Sequence, residues 1–284
     1  MIITGDWHIT EKTPANRIDD YEKTLFEKLE FIFKQANLDS TSIFQPGDFF
    51  DSPDPSYRLF SKVVELIKSY PNVSIYTIFG QHDLKYRNKI NSALLALEKA
   101  CENLFIVKQH DSPCGVSFGE EIPNNTKKDL TLLIHKMIIG DSKIWEGQTE
   151  YTSAKNLLKT NDYQLIVSGD NHQSFIVEYQ SKILINCGSL MRSSISQVNH
   201  KPFIVSYYKG KYEKIMIPIK DSEKVFAMEK VELQKADNEK LESFIAGLND
   251  QKEIGLDFET NLLSYVEKNN VEKSVVDIIK NCMK

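Results

Sequence analysis

The chain has 284 residues, of which 41% are hydrophobic and 26% charged, so it is long enough to bury one large core and a smaller appended unit. Its formal net charge of −5 argues against nucleic-acid binding through bulk positive charge. The sequence has no membrane-spanning apolar run, no secretion signal and only four scattered cysteines, which argues against a membrane protein, a zinc knuckle and a disulfide framework. We expect a protein of the reducing cytoplasm.

Strand and helix patterns alternate over the first part of the chain. Short apolar runs typical of strands cover residues 2–4, 42–45 and 73–79, and apolar residues at helical spacing cover 19–36 and 57–70. This alternation predicts an α/β fold with parallel strands and helices on the sheet.

After about residue 103, short apolar runs follow one another with few helical patterns between them. They cover residues 104–107, 130–134, 165–168, 175–178 and 183–186. These runs indicate a second sheet packed on the first.

The rest of the chain divides into two segments. A boundary at residues 200–202 precedes a hairpin pattern over 202–219, with a turn at 209–211, and helical patterns begin beyond about Asp237. The predicted domains are a main domain at 1–200, a hairpin or capping segment at 201–236 and a helical segment at 237–284. The last segment carries two apolar stripes: Leu241, Phe244, Ile245 and Leu248, and then Val271, Val275, Ile278 and Cys282.

Polar residues with metal-binding side chains follow five of the predicted strands. In chain order they are Asp6 and His8, Asp48 and Asp51, Gln81 with His82 and Asp83, His135, and Asp170 and His172. The carboxyl ends of strands in an α/β sheet are where ligands bind, and a glycine before an Asp is expected to let the backbone turn sharply there. Carboxylate, imidazole and amide ligands suit manganese, magnesium, iron or zinc, and not copper(I).

Each pattern also has an ordinary structural interpretation. A single Asp-x-His is usually a turn followed by a surface histidine, and Gly-Asp-x-x-Asp also fits a helix N-cap. However, four of the six histidines lie at the ends of predicted strands, three of them beside an Asp. This concentration favours one metal site built from five strand ends.

These five groups of polar residues resemble, in order and approximate spacing, the five sequence motifs of the calcineurin-like metallophosphoesterases, over residues 1 to about 190. The stretches GDFFDSPDPS and NCGSLMRSS, the second containing Arg192, are similar to one branch, the SbcD-type nucleases of DNA double-strand-break processing. The resemblance implies a two-sheet β-sandwich flanked by helices (α/β, or α+β in some schemes), here with a small C-terminal hairpin and a helical extension. By this resemblance, residues 1–200 are the catalytic domain.

The resemblance also implies a role for each matching residue. Asp6, His8 and His172 are expected to bind a first metal ion, Asp48 to bridge two ions, and Gln81, His135 and Asp170 to bind the second. His82 is expected to face the phosphate and assist departure of the leaving group, with Asp83 orienting it. Asp51 and Arg192 are expected to support the ligands or contact substrate.

Two residues depart from the family pattern, and both concern the second metal ion. Gln81 replaces the usual Asn, and Asp170 replaces a usual His. The extra carboxylate favours a hard ion, manganese first and magnesium next, with iron and zinc also compatible. An alternative is a weakened second site that is occupied only when substrate arrives.

The leading hypothesis is a dinuclear-metal-dependent DNA exonuclease or endonuclease, the nuclease subunit of an SbcCD-like end-processing complex. Its expected partners are DNA and an SbcC-type ATPase docked by the C-terminal helices, with room for a homodimer and no membrane contact. Its expected location is the cytoplasm of a bacterial or phage-infected cell. The alternatives are a phosphatase or phosphodiesterase acting on small nucleotides or phosphoproteins, and a catalytically weakened scaffold.

Overall fold

The computed structural model describes residues 1–123, 131–140, 151–230, 262, 265–266, 269 and 271–282. They belong to two compact units, Met1–Val225 and Phe226–Lys284. The strands are β1 (Ile2–Ile3), β2 (Ile43–Gln45), β3 (Ile75–Thr77), β4 (Leu104–Ile106), β5 (Cys114–Val116), β6 (Thr131–His135), β7 (Ile138–Ile139), β8 (Thr152–Ser153), β9 (Leu165–Gly169), β10 (Phe175–Tyr179), β11 (Lys182–Asn186), β12 (Phe203–Tyr208) and β13 (Lys211–Met216). The helices are α1 (Tyr21–Leu38), α2 (Tyr57–Lys68), α3 (Ala93–Ala100), α4 (Ala154–Thr160), α5 (Ser222–Val225) and α6 (Lys273–Cys282), with a 3₁₀ turn at Ile195–Gln197.

Two main sheets form the first unit. One has the order β13-β12-β1-β2-β3-β4 and the other the order β10-β11-β9-β6-β5, while β7 and β8 form a small separate pair. Strands β1 to β4 are parallel, and so are β5, β6, β9 and β11, whereas β10 runs antiparallel to β11. The predicted two-sheet sandwich flanked by helices is confirmed.

Both faces of the central strands are buried, which explains their continuous apolar sequences. In β1, Ile2 packs in a core with the residues of α1, α2 and α3, while the next residue, Ile3, packs between the two sheets. In β9, Val167 lies between the sheets and Ile166 packs with α4. Because successive strand residues point to opposite faces, these runs create layers in the order helices, sheet, sheet, helix.

The hairpin assigned from sequence to a separate segment at 201–236 instead extends the first sheet. Strand β12 pairs antiparallel with β1, with Ile2 opposite Ser206, and β13 adds the edge strand. Residues up to Val225 therefore belong to the same compact unit as the main domain. A strand pairing between residues about 200 positions apart leaves no local signal in the sequence.

The described part of the second unit contains helix α6, which covers three residues of the predicted stripe, Val275, Ile278 and Cys282. Ile278 is 57% exposed. The other predicted stripe, Leu241 to Leu248, lies outside the described residues. Within the described part of the chain, no helix has both the length and the apolar character needed to cross a membrane.

Candidate metal centre

The strand ends that carry the predicted ligands meet at one edge of the sandwich. β1, β2 and β3 are neighbours in the first sheet, and β6 and β9 are neighbours in the second, with His135 in register with Gly169. Contacts between the two sheets close the site: the Asp6 carboxylate accepts the Asp170 backbone N–H at 2.9 Å, and His135 Nε2 lies 2.8 Å from Gln81 Oε1. Within the first sheet, the Asp48 carboxylate accepts the His82 N–H at 2.8 Å. All seven predicted metal ligands are brought together here.

Asp6, His8 and His172 form the first group of potential ligands. One ligand atom from each lies within 4.8 Å of the others. His8 Nε2 and His172 Nε2 are 3.0 Å apart, and His172 Nε2 is 3.8 Å from Asp6 Oδ2. Lone pairs that converge in this way suit a cation, and these are the residues predicted for the first ion.

Gln81, His135 and Asp170 form the second group. His135 Nε2 is 2.8 Å from Gln81 Oε1, and Gln81 Nε2 donates to Asp170 Oδ1 at 3.0 Å. Asp48 Oδ2 lies between the groups, 3.4 Å from His135 Nε2 and 3.6 Å from His8 Nε2. Asp48 is therefore within 3.6 Å of a histidine in each group.

Unpaired buried atoms show that the site fits divalent cations. Within the described residues, the buried side-chain atoms that lack a hydrogen-bond partner are Asp6 Oδ1, His8 Nδ1, Asp48 Oδ2 and Ser168 Oγ. Three of these four atoms belong to predicted ligands. Leaving a carboxylate oxygen unpaired is costly in a folded protein, and coordination of a metal ion would remove the cost at Asp48 Oδ2, which lies beside a histidine of each ligand group.

The electrostatics of the site point the same way. Burial raises the pKa of Asp6, whereas the charge of His135, whose Nε2 lies 3.4 Å from Asp48 Oδ2, outweighs burial and lowers the pKa of Asp48. Burial opposes protonation of His135, but the nearby charge of Asp48 raises its pKa to about 10. Burial and the charge of His8 lower the pKa of His172 to about 4. Without metal, a proton on His135 balances buried negative charge, and divalent cations could supply that balance.

The backbone is strained at the ligands themselves. His8, Asp48 and Asp170 have φ values of 46°, 50° and 79°, in the left-handed region that side chains with a Cβ rarely adopt. Such strain costs of order 1–3 kcal/mol per residue and is typical of functional sites. Each of these strained residues contributes one potential ligand to the centre.

Gly47, before Asp48, has a φ of 97° and makes the turn as predicted, whereas Gly169, before Asp170, does not have positive φ and provides space instead. Gly80, before Gln81, does not have positive φ either. A Cβ on Gly80 would lie 2.1 Å from Asp48 Oδ1, and one on Gly169 would lie 2.4 Å from Asp6 Oδ1. Any larger residue would displace a carboxylate that the site needs.

The predicted partnership of His82 with Asp83 is not observed. Asp83 is fully buried and accepts the backbone N–H groups of Phe49, Phe50 and Gly80 at 3.0–3.2 Å. Burial and the charge of Asp48 raise the pKa of Asp83 to about 6. Asp83 therefore fastens the turn after β3 to the turn after β2.

His82 is held by Asp51 instead. Its Nδ1 is 3.1 Å from the Asp51 carbonyl oxygen and 3.9 Å from Asp51 Oδ1. Asp51 Oδ1 is also 3.5 Å from His8 Nδ1, and one ligand atom from each of the three residues lies within 4.8 Å of the others. Asp51 therefore lies close to both histidines.

Arg192 holds the loop after β11 by hydrogen bonds to neighbouring segments of the chain. It is buried, and its guanidinium donates to the carbonyls of Val198 and Lys220 and to Ser222 Oγ. It therefore fastens the end of the first unit to the loop after β11, because three acceptors from two chain segments surround its planar donor group.

Sequence reasoning missed three cationic or imidazole side chains that hold the same loop, which passes beside Asp6. Arg17 donates to the Arg192 carbonyl at 2.6 Å, Lys28 to the Leu190 carbonyl at 2.8 Å, and His200 Nε2 lies 2.8 Å from the Ser189 carbonyl. The loop in turn pairs with Asp6, whose carbonyl accepts the Leu190 N–H at 2.9 Å. These residues are positioning residues for the first ligand.

The model of the calcineurin-like phosphoesterase family matches residues 1–174, more than half of the chain. The chain belongs to this family. This calcineurin-like phosphoesterase is a metal-dependent hydrolase, since the family typically uses divalent metal ions and the ligands are present.

Further comparisons add little on substrate for this calcineurin-like phosphoesterase. No curated protein matches it. A solved structure described as a novel archaeal phosphodiesterase is similar at 15% identity and a TM-score of 0.40, covering 76% of this chain and 99% of that chain.

Proposed function

We propose that this phosphoesterase is a DNA nuclease of the SbcD type that uses two divalent ions, manganese first. The ions would be held by Asp6, His8 and His172 on one side and by Gln81, His135 and Asp170 on the other, with Asp48 between them. Two such ions would lower the pKa of a water molecule, clamp phosphate oxygens and offset charge during an in-line displacement.

The observation that carries the proposal is that the centre opens into two adjoining depressions. One, of about 260 Å³, is lined by His8, Asp51 and His82, and the other, of about 760 Å³, is lined by Asp170, Asn171 and Lys201; His172 lines both. A phosphodiester continues on both sides of its phosphorus, whereas a phosphomonoester needs room on one side only. Two open sides favour a diester within a chain.

His82 supplies the acid in this scheme. A carbonyl only accepts hydrogen bonds, so the contact with the Asp51 carbonyl places a proton on His82 Nδ1 and leaves Nε2 for the substrate. The side chain is 43% exposed in the first depression. With both ring nitrogens protonated, His82 can transfer the Nε2 proton to a leaving oxygen there without being a metal ligand.

The direct test is an assay of the purified chain with manganese on linear duplex DNA, single-stranded DNA, RNA, bis(p-nitrophenyl) phosphate and p-nitrophenyl phosphate. We expect cleavage of DNA and of the small diester, with a much lower kcat/KM for the monoester. Hydrolysis confined to the monoester would overturn the proposal and favour a phosphatase. Cleavage of RNA but not DNA would contradict the substrate assignment.

The identity of the metal is tested by Asp170→His. Because Asp170 adds a third carboxylate to the ligands, we expect the wild-type chain to be more active with manganese than with zinc. The variant should have a smaller ratio of manganese-dependent to zinc-dependent activity. The measurement is kcat/KM for the small diester with each metal. Asp162→His is the matched control, since Asp162 is 91% exposed and precedes β9, whereas Asp170 follows it. An unchanged metal profile would place Asp170 outside the ligands.

The C-terminal segment is proposed to dock onto an ATPase of the SbcC type, which would supply DNA-binding surface to a chain of net charge −5. Truncation after Lys235 is expected to leave a folded protein that cleaves the small diester yet loses ATP-dependent action on duplex ends. Ile278→Asp in the full chain tests the same face without a deletion, because Ile278 is 57% exposed. Unfolding or precipitation of the truncated protein would instead assign the helices to its own core.

Light scattering of the full chain distinguishes a monomer from a homodimer.

A further inference from the structure

The segment that follows His82 and Asp83 is a basic surface segment with an exposed tyrosine. Residues 84–90, LKYRNKI, contain three cationic side chains and no carboxylate, in a chain whose net charge is −5. Tyr86 lies at its centre and is 89% exposed. An isolated exposed tyrosine flanked by cations is typical of surfaces that bind single-stranded nucleic acid.

The backbone of this loop is strained, and ion pairs connect it to the rest of the first unit. Tyr86 and Arg87 have φ values of 53° and 57°, which are unusual for two consecutive bulky residues. The Asn88 N–H donates to the Lys85 carbonyl at 2.9 Å and closes the turn. The Lys85–Asp54 ion pair at 2.7 Å and the Lys89–Glu120 ion pair at 2.5 Å tie both sides of the turn to the first unit. The ring of Tyr86 is thus presented by a braced turn.

The three cations are not equivalent. Lys85 and Lys89 are occupied by the two ion pairs just described. The structure records no hydrogen bond or ion pair of Arg87 with any described residue, and Arg87 is exposed. A guanidinium next to an exposed ring can contact a phosphate or stack on a base, so Arg87 is the cation available to a ligand.

The position relative to the centre limits what the ligand can be. Tyr86 is four residues after His82, so their Cα atoms are separated by at most about 14 Å. Successive nucleotides of one strand rise about 3.4 Å in a duplex and further when extended, so two to four nucleotides span this distance. A substrate strand whose phosphate reaches His82 can therefore place a nearby base on Tyr86.

We propose that Tyr86 and Arg87 form a stacking platform for an unpaired base of the substrate strand, two to four nucleotides from the phosphate that is cleaved. This inference rests on the proposed nuclease function and adds to it that the substrate strand is single-stranded near the cut. Tyr86 stacks on the base, and Arg87 contacts the base or the adjacent phosphate. A protein partner at this loop is the competing occupant.

The test compares Tyr86→Ala, Tyr86→Phe and Arg87→Ala with the wild-type full chain, in manganese, on a labelled single-stranded oligonucleotide and on bis(p-nitrophenyl) phosphate. Loss of one stacking contact is expected to raise the KM for the oligonucleotide about five- to a hundredfold in Tyr86→Ala. Tyr86→Phe should retain most of the affinity, because the ring remains. Hydrolysis of the small diester should be unchanged in all three variants, because it does not reach the loop.

Tyr208→Ala is the matched control. Tyr208 is 70% exposed, and Lys209 Nζ lies 5.2 Å from the centre of its ring. It lies at the opposite end of the first sheet from the centre, since the Tyr207 N–H donates to the Met1 carbonyl. Removing this ring should leave the KM for the oligonucleotide unchanged.

Abasic substitutions locate the stacked base. One abasic site two to four nucleotides from the cut should weaken wild-type binding but should have little further effect in Tyr86→Ala, because the two changes remove the same contact. Equal KM values for the wild type and Tyr86→Ala on the oligonucleotide would overturn the stacking platform and favour a protein occupant. In that case, cleavage of DNA by the wild type would still support the nuclease function. Hydrolysis of the small diester without binding of any polynucleotide would overturn both proposals.

Discussion

Asp48→Asn is expected to reduce the bound metal from two ions to one or fewer and to abolish phosphodiester hydrolysis. Asp48 Oδ2 is buried, unpaired and within 3.6 Å of a histidine of each ligand group, so its charge serves both ions. Metal ions supply several kcal/mol of transition-state stabilisation, so a loss of at least about 10³-fold in kcat/KM is expected. Metal content by mass spectrometry and activity on the small diester are the measurements.

Asparagine is chosen because it keeps the shape of the side chain and the acceptor for the His82 N–H. Thermal unfolding of the metal-free variant checks that the fold survives. Asp162→Asn, at a side chain that is 91% exposed, is the control for loss of one carboxylate from the chain. An Asp48→Asn variant that retained two ions and full activity would exclude Asp48 as the bridging ligand.

The layout of the fold was predictable because the buried strands have no polar face. β6, β9 and β11 read as continuous apolar runs, since one face of each packs on the first sheet and the other on α4. Helix α3, with the sequence ALLALEKA, was missed because five consecutive apolar residues show no helical period. The pairing of β12 with β1 was missed because register between distant segments is decided by tertiary packing.

The metal-ligand residues were predictable because residue types that bind metal occur at the ends of predicted strands. The contacts of each side chain were not predictable, because neighbours in sequence need not be partners in space. Asp83 follows His82 but points to the backbone of Phe49 and Phe50, and Arg192 follows a site loop but points to Val198 and Lys220.

One signal for the missed positioning residues was present in the sequence. Lys28 is three residues after Leu25 and four before Ile32, which places a charge on the buried face of α1. Burial lowers the pKa of Lys28 to about 7, with further lowering by Arg192 and Arg17. A lysine on the apolar face of a helix predicts a buried acceptor, and the structure identifies it as the Leu190 carbonyl.

His82→Ala is expected to keep both metal ions and to lose 10²- to 10⁴-fold in hydrolysis of DNA, the range typical of a positioned acid. His82 touches the centre through its backbone N–H, which donates to Asp48 and is retained in the variant. Its imidazole is exposed in the first depression and contacts Asp51. Removing the ring therefore removes a proton donor and leaves the ligand set in place.

The size of the loss should depend on the leaving group, which separates acid catalysis from a structural effect. The oxygen that leaves from DNA is an alkoxide and needs a proton, whereas p-nitrophenolate is stable without one, so His82→Ala should impair DNA cleavage far more than hydrolysis of bis(p-nitrophenyl) phosphate. His110→Ala, at another exposed histidine, is the matched control. Asp83→Asn should lower the melting temperature through its buried hydrogen bonds, with equal effects on both substrates. Loss of metal from His82→Ala, or an equal loss on both substrates, would show that the imidazole is not the acid.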